Sequence, residues 1–203
     1  MRNLLTANLT LANRITIGRL LLIPAYILMT LYYIESVNQH QPEEFYRWAA
    51  LMLYIITCLT DALDGYFARS RNEVTRLGTL LDPLADKTLL ISSLILLTGP
   101  WGQHCFNPHL PLWYVFLVIS RDVFLIIGSV IIHLAVGHME VRPRISGKVA
   151  TFFQMSLILW VLAQAPLAGF PWLLWAAASF TVVAAYQYIA DGIRQLEKAH
   201  PQV

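Results

Sequence analysis

Charged residues are scarce in this chain, and their scarcity argues against an ordinary soluble domain. Only 13% of the 203 residues are Asp, Glu, Lys or Arg, whereas 57% are hydrophobic. Soluble domains usually carry about 25% charged residues. The net charge of +2 is too small to indicate nucleic-acid binding. We therefore expect a chain that is embedded in a membrane and faces lipid with its apolar surface.

Cysteine is also nearly absent, which excludes the common sulphur-based sites. The two cysteines, Cys58 and Cys105, lack the paired spacing of metal-binding or redox motifs. Cys58 lies within an apolar run, which indicates a packing role. The N-terminal stretch has no small-residue cleavage site before its apolar run, so no cleavable signal peptide is predicted.

Long apolar segments, separated by short polar loops, predict an all-α integral membrane protein with six transmembrane helices. The second and third segments are shorter than the ~20 residues of a span unless aspartates at their ends belong to the helices. Residues 3–14 mix leucines with polar side chains and predict a short interfacial helix. No repeat or linker is visible, so residues 1–203 are predicted to form one domain. The six segments are residues 15–34, 48–63, 84–98, 112–136, 149–165 and 172–189.

Lysine and arginine are concentrated on one side of this predicted arrangement. They occur near both termini and in the loops after the second and fourth segments, whereas the opposite side has only Arg47. Because short loops rich in Lys and Arg stay in the cytoplasm, both termini are predicted to be cytoplasmic.

Four aspartates lie at the predicted cytoplasmic ends of the second and third segments. Asp61 and Asp64 are three residues apart, and Asp82 and Asp86 are four apart, so each pair shares one face of a helix. Pro83 suits the first turn of the second of these helices. Carboxylates so close together repel one another, and nearby lipid adds a desolvation cost. Ionisable residues in such a place are candidates for function.

A divalent cation would relieve this repulsion. Ligands that are all carboxylate oxygens suit Mg²⁺ or Mn²⁺, and four of them suit two ions better than one. Two such ions can clamp a phosphoryl group during its transfer. One alternative is that the aspartates pair with arginines of the intervening loop. Another is a cation path through a transporter, although that function would distribute carboxylates along several helices.

The spacing of these residues resembles the signature of the CDP-alcohol phosphotransferase family, D-x2-D-G-x2-A-R-x8-G-x3-D-x3-D. An N-terminal Asn-x2-Thr-x2-Arg element is similar to that family as well, although Ala12 replaces the proline that often precedes it. The signature positions here are Asp61, Asp64, Gly65, Ala68, Arg69, Gly78, Asp82 and Asp86, and the N-terminal ones are Asn13, Thr16 and Arg19.

The resemblance implies a homodimeric enzyme of six transmembrane helices in the bacterial inner membrane, with a cytoplasmic active site. Such enzymes transfer a phosphatidyl group from CDP-diacylglycerol to an alcohol and release CMP. The resemblance further implies that Asp61, Asp64 and Asp82 ligate two Mg²⁺ or Mn²⁺ ions, and that Asp86 is the catalytic base beside one of them. The implied CDP-binding residues are Asn13, Thr16, Arg19, Gly65, Ala68, Arg69 and Gly78.

A second basic group indicates an acceptor that carries a phosphate. Arg121, Arg142, Arg144 and Lys148 could bind one, although the last three also fit a positive-inside loop. Because adjacent helical residues do not face each other, Arg121 is expected to point away from Asp122. The segments "SRD" and "SGKVATFFQ" resemble the branch of the family that makes phosphatidylglycerol-related lipids. This favours glycerol-3-phosphate as the acceptor, with phosphatidylglycerol, and hence cardiolipin synthesis, as the alternative.

Overall fold

The structure is a computed structural model, and it is helical throughout most of the part that it describes. It describes the backbone of residues 11–71, 76–136 and 145–199, and the side chains of residues 18–61, 84–128, 130 and 145–193. Six helices occupy these ranges, which agrees with the predicted all-α class. They are α1 (Leu11–Asn38), α2 (Glu44–Arg71), α3 (Arg76–Thr98), α4 (Leu112–Val136), α5 (Ile145–Leu162) and α6 (Phe170–Ala199).

The second and third helices extend well beyond their apolar segments. Helix α2 continues to Arg71, and α3 begins at Arg76, so all four signature aspartates lie inside helices, as spanning length required. The prediction that Pro83 opens the third helix is wrong, because α3 begins seven residues earlier. The missing N–H of a helical proline frees one carbonyl in the preceding turn, which neighbouring groups in membrane proteins can satisfy.

Three helices have a described stretch that is long and apolar enough to cross a membrane. These stretches are Gly18–Asn38, Ile145–Leu162 and Phe170–Ile193. The count of six spans thus remains a prediction. Most of the predicted interfacial helix, residues 1–10, lies outside the described residues, and residues 11–14 begin α1 without a break.

The chain divides into two compact units, Met1–Phe106 and Asn107–Val203. In the first unit, α1 packs against both α2 and α3. The α1–α2 contact is an antiparallel seam in which buried residues recur after four and three positions, as in coiled coils. The seam positions of α1 are Arg19, Ile23, Tyr26, Thr30 and Tyr33, those of α2 are Arg47, Ala50, Tyr54 and Thr57, and all of these residues are buried.

The loop after α3 covers the far end of this seam. The ring of Phe106 packs on Tyr33 with centroids 5.3 Å apart. The buried thiol of Cys105 donates a weak hydrogen bond to the carbonyl of Trp101 at 3.3 Å. Burial raises the pKa of the Cys105 thiol. Cys105 thus has a packing role in this loop.

In the second unit, α6 packs against both α4 and α5. Polar contacts fix the register of α6 on each partner. Gln154 Nε2 donates to Thr181 Oγ1 at 2.9 Å, and Ser146 Oγ donates to Gln187 Oε1 at 2.7 Å. The hydroxyl of Tyr188 donates to the carbonyl of Leu125 in α4 at 3.1 Å. The start of α5 is therefore held in place beside α6.

Candidate active site

Three helices of the first unit bring one arginine and two of the predicted site aspartates together. Nη1 of Arg19, from α1, donates hydrogen bonds to Oδ1 of Asp61 in α2 and to Oδ1 of Asp86 in α3. The bond to Asp86 is 2.7 Å long. We refer to Asp61 and Asp86 as the carboxylate pair. Two residues that are 25 positions apart in the chain thus meet at a single nitrogen atom.

The carboxylate pair and its arginine differ in exposure. The side chain of Arg19 is 1% exposed, whereas those of Asp61 and Asp86 are 37% and 36% exposed. The guanidinium therefore lies on the inner side of the carboxylates, and about one third of each carboxylate side chain is exposed. A buried guanidinium needs compensating charge in a membrane protein, and the pair supplies it.

The seam explains why Arg19 reaches the carboxylate pair. Tyr26 lies seven residues after Arg19, and Tyr54 lies seven residues before Asp61. The two tyrosine rings are in contact, with centroids 5.5 Å apart. Because α1 and α2 are antiparallel, two turns from this ring contact lead directly to the Arg19–Asp61 bond. A cysteine lies close by, since Cys58 is one turn before Asp61 and is half-buried.

The remaining signature residues are placed by their backbone alone. Unbroken helices carry them, so the predicted sharing of a helix face agrees with the observed elements. Their side chains lie outside the part that the structure describes. Asp64, Gly65, Ala68 and Arg69 are in α2, Gly78 and Asp82 are in α3, and Asn13 and Thr16 are in the first turns of α1.

The predicted acceptor residues belong to the second unit. Arg121 in α4 is buried, and Lys148 in the first turn of α5 is exposed. Arg142 and Arg144 lie outside the described residues. A Cβ on Gly147 would come within 3.5 Å of Nη2 of Arg121, so the guanidinium lies beside the start of α5.

The expectation that Arg121 points away from Asp122 is wrong. Nη1 of Arg121 donates to Oδ1 of Asp122 at 2.9 Å, and the two side chains are only 9% and 8% exposed. The long arginine side chain reaches sideways around the helix, because two buried opposite charges gain more from pairing than from remaining apart. Nε of Arg121 is buried and has no hydrogen-bond partner among the described residues.

Sequence reasoning missed the contact between Arg19 and the carboxylate pair, because it assigned Arg19 to the nucleotide. A signal was present, since an arginine inside an apolar segment requires a counter-charge at the same depth. The signature aspartates are acidic residues that were already predicted at the same end of the neighbouring helices.

The donor set of this site fits divalent metal ions. Two carboxylates already converge on one cationic group, and carboxylate oxygens are the ligands that Mg²⁺ and Mn²⁺ prefer. Among the described side chains there is no group of three or more His, Cys, Asp or Glu that could hold a metal. Asp64 and Asp82, the other two predicted ligands, lie outside those side chains.

Comparisons with known proteins identify the family. A family model described as CDP-alcohol phosphatidyltransferase matches residues 9–183. A Bacillus subtilis protein named CDP-diacylglycerol--glycerol-3-phosphate 3-phosphatidyltransferase is 33% identical over 199 residues, covering 94% of this chain and 98% of the relative. An Aquifex aeolicus protein of the same name is 36% identical over 141 residues, covering 70% of this chain and 68% of the relative. A probable phosphatidylglycerophosphate synthase of Mycobacterium tuberculosis is 33% identical over 190 residues, covering 92% of this chain and 83% of the relative. Since the family model spans both units and most of the sequence, the chain belongs to the CDP-alcohol phosphatidyltransferase family.

Proposed function

We propose that this protein transfers the phosphatidyl group of CDP-diacylglycerol to glycerol-3-phosphate, giving phosphatidylglycerophosphate and CMP. The observation that carries the proposal is the convergence of Asp61 and Asp86 on one cationic group, at the signature positions of the family. The names of the relatives favour glycerol-3-phosphate over phosphatidylglycerol as the acceptor. The protein is accordingly a transferase of phospholipid biosynthesis.

Two divalent ions, Mg²⁺ or Mn²⁺, would be held by Asp61, Asp64, Asp82 and Asp86. When bound, they would neutralise the charge of the CDP diphosphate and of the departing CMP. The small residues Gly65, Ala68 and Gly78 would let the nucleotide approach the backbone closely. The polar donors for CDP would be Asn13, Thr16, Arg19 and Arg69.

Asp86 would accept the proton of the acceptor hydroxyl as the new P–O bond forms. The bond that breaks joins the lipid-linked phosphorus to the oxygen of CMP, which leaves with the electron pair. A carboxylate is a weak base toward an alcohol, so this proton transfer would progress with bond formation instead of preceding it.

The phosphate of glycerol-3-phosphate would be bound by Arg121, Arg142, Arg144 and Lys148. Arg121 is suited to this role because its guanidinium is buried, is held at Nη1 by Asp122, and has an Nε donor that other described residues do not use. Guanidinium groups bind phosphate through paired charge-assisted hydrogen bonds.

The enzyme is further proposed to have a defined membrane topology and oligomeric state. We expect one membrane domain of six spans that acts as a homodimer in the bacterial inner membrane, with the active site and both termini on the cytoplasmic side. The excess of Lys and Arg in the loops of that side supports this orientation. Arg47, on the other side, has its charge balanced by Glu44, whose Oε2 lies 2.6 Å from Nε of Arg47.

The experiment is an assay of CMP release by the purified protein with CDP-diacylglycerol and Mg²⁺ or Mn²⁺. Glycerol-3-phosphate and phosphatidylglycerol are offered separately, and the lipid product is identified by mass. We expect phosphatidylglycerophosphate from glycerol-3-phosphate, and no product from Asp86→Asn, while Asp191→Asn in α6 serves as the matched control. Cardiolipin from phosphatidylglycerol would instead establish the alternative acceptor, and the absence of CMP with either acceptor would contradict the proposal.

A further inference from the structure

The contact between Arg19 and the carboxylate pair has a consequence for metal binding. Nη1 of Arg19 bonds one oxygen of each carboxylate, and both carboxylates are proposed metal ligands. Oxygen lone pairs that accept hydrogen bonds from a guanidinium are not equally available to a metal ion. The guanidinium and a metal ion bound to the same carboxylates would also repel each other.

We infer that Arg19 is a positioning residue that competes with divalent ions for Asp61 and Asp86. Its guanidinium holds the carboxylates of α2 and α3 together before an ion binds, and then gives up at least one of them to the ion. This inference rests on the metal site proposed above and adds to it a defined role for α1.

Repulsion between the two carboxylates explains why a positioning residue such as Arg19 is needed. Without a cation between them, the carboxylates of α2 and α3 would repel each other and would favour separation of the helices. Arg19 prevents this from a position that is almost fully buried, whereas about one third of each carboxylate side chain is exposed. An ion that arrives from water can therefore reach the carboxylates without first passing the arginine.

The seam makes this arrangement reversible. Arg19 is anchored through its own helix, because Ile23 and Tyr26 are buried one and two turns further along α1. A guanidinium on a long flexible side chain can exchange one hydrogen-bond acceptor for another without movement of the helix. The donors that are released would then be available to a diphosphate oxygen, which agrees with the CDP-binding role predicted for Arg19.

The test measures Mn²⁺ binding without any substrate, by the paramagnetic resonance signal of free Mn²⁺ in titrations of the purified protein. Arg19→Gln should bind Mn²⁺ about tenfold more tightly or better than the wild type, because a competing charge-assisted contact is removed. Its midpoint of thermal unfolding in EDTA should fall by about 4 °C or more, and Mn²⁺ should restore it. A purely structural role for Arg19 would weaken Mn²⁺ binding instead.

Arg47→Gln is the matched control. Arg47 is also a buried arginine of the α1–α2 seam with a carboxylate partner, Glu44, but its partner is not a proposed metal ligand. This variant should unfold at a lower temperature both with and without Mn²⁺, and its Mn²⁺ affinity should equal that of the wild type.

Arg19→Lys is the second variant, and it tests the competition between Arg19 and Mn²⁺ if Arg19→Gln does not fold. Lysine keeps the positive charge but lacks the planar fork of arginine, so Mn²⁺ affinity should rise by a smaller factor, about threefold. Affinity equal to or below that of the wild type in the folded variants would overturn the role of Arg19 and leave the metal site intact. The absence of Mn²⁺ binding in the wild type and in every folded variant would overturn the metal site itself, and the inference with it.

Discussion

The ring of Tyr26 in α1 packs against the ring of Tyr54 in α2, with centroids 5.5 Å apart and planes inclined at 53°. Both side chains are fully buried. The contact lies two turns from the Arg19–Asp61 bond along each helix, so it sets the register at which α1 delivers its guanidinium to the carboxylate pair. The packing of the apolar seam thereby determines the geometry of a charged site.

Tyr26→Ala should reduce both stability and activity. Loss of a buried aromatic ring costs about 3–5 kcal/mol of unfolding free energy. Looser packing between α1 and α2 should also displace Arg19 and raise the KM for CDP-diacylglycerol. Tyr26→Phe is the matched control, because it keeps the ring contact and should stay within about 1 kcal/mol of the wild type. Denaturation in detergent and steady-state kinetics measure the two effects. If Tyr26→Ala kept the wild-type KM, the seam would have no influence on the site.

Asp86→Asn should abolish turnover and leave binding of the donor largely intact. The amide cannot accept the proton of the acceptor hydroxyl, and loss of a general base typically lowers a rate about 10²–10⁴-fold. The measurement pairs the rate of CMP release with the Mn²⁺-dependent binding of CDP-diacylglycerol. Loss of binding together with turnover would show that Asp86 acts mainly as a metal ligand.

Asp61→Asn should act at an earlier step. Removing one carboxylate charge should weaken the binding of both Mn²⁺ and CDP-diacylglycerol, because the proposed metal ions would bind the diphosphate of the donor. Excess Mn²⁺ should partly restore CMP release in this variant, whereas it should not restore Asp86→Asn. Donor affinity equal to that of the wild type would contradict the ligand role of Asp61.

Sequence reasoning was most successful where the relevant structure is local. The spacing of Asp61 and Asp64, or of Asp82 and Asp86, has its meaning within a single helix, and both helices are observed. The ends of α2 and α3 were harder to place, because apolar runs stop at charges whereas helices continue through them. For this reason the predicted place of Pro83 in a first turn is wrong.

Partners of the arginines could not be derived from the sequence in the same way. The contact of Arg19 with the carboxylate pair depends on how three helices pack, and neither spacing nor composition specifies that register. The Arg121–Asp122 pair was missed for a different reason. The rule that adjacent helical residues do not face each other describes Cβ directions, whereas a long side chain whose charge is buried can bend toward its neighbour.

Asp122→Asn provides a test of the proposed acceptor site. The Oδ1 atom can still accept the bond from Nη1 of Arg121, but the neutral amide no longer balances the buried guanidinium, whose orientation should become less well defined. We expect the KM for glycerol-3-phosphate to rise about tenfold with little change in the KM for CDP-diacylglycerol. Steady-state kinetics with each substrate varied in turn measure this separation, and Asp191→Asn serves as the control for loss of an aspartate charge elsewhere. An equal rise in both constants would indicate a general loss of structure in the second unit, whereas a change confined to glycerol-3-phosphate would assign Arg121 and its partner to acceptor binding.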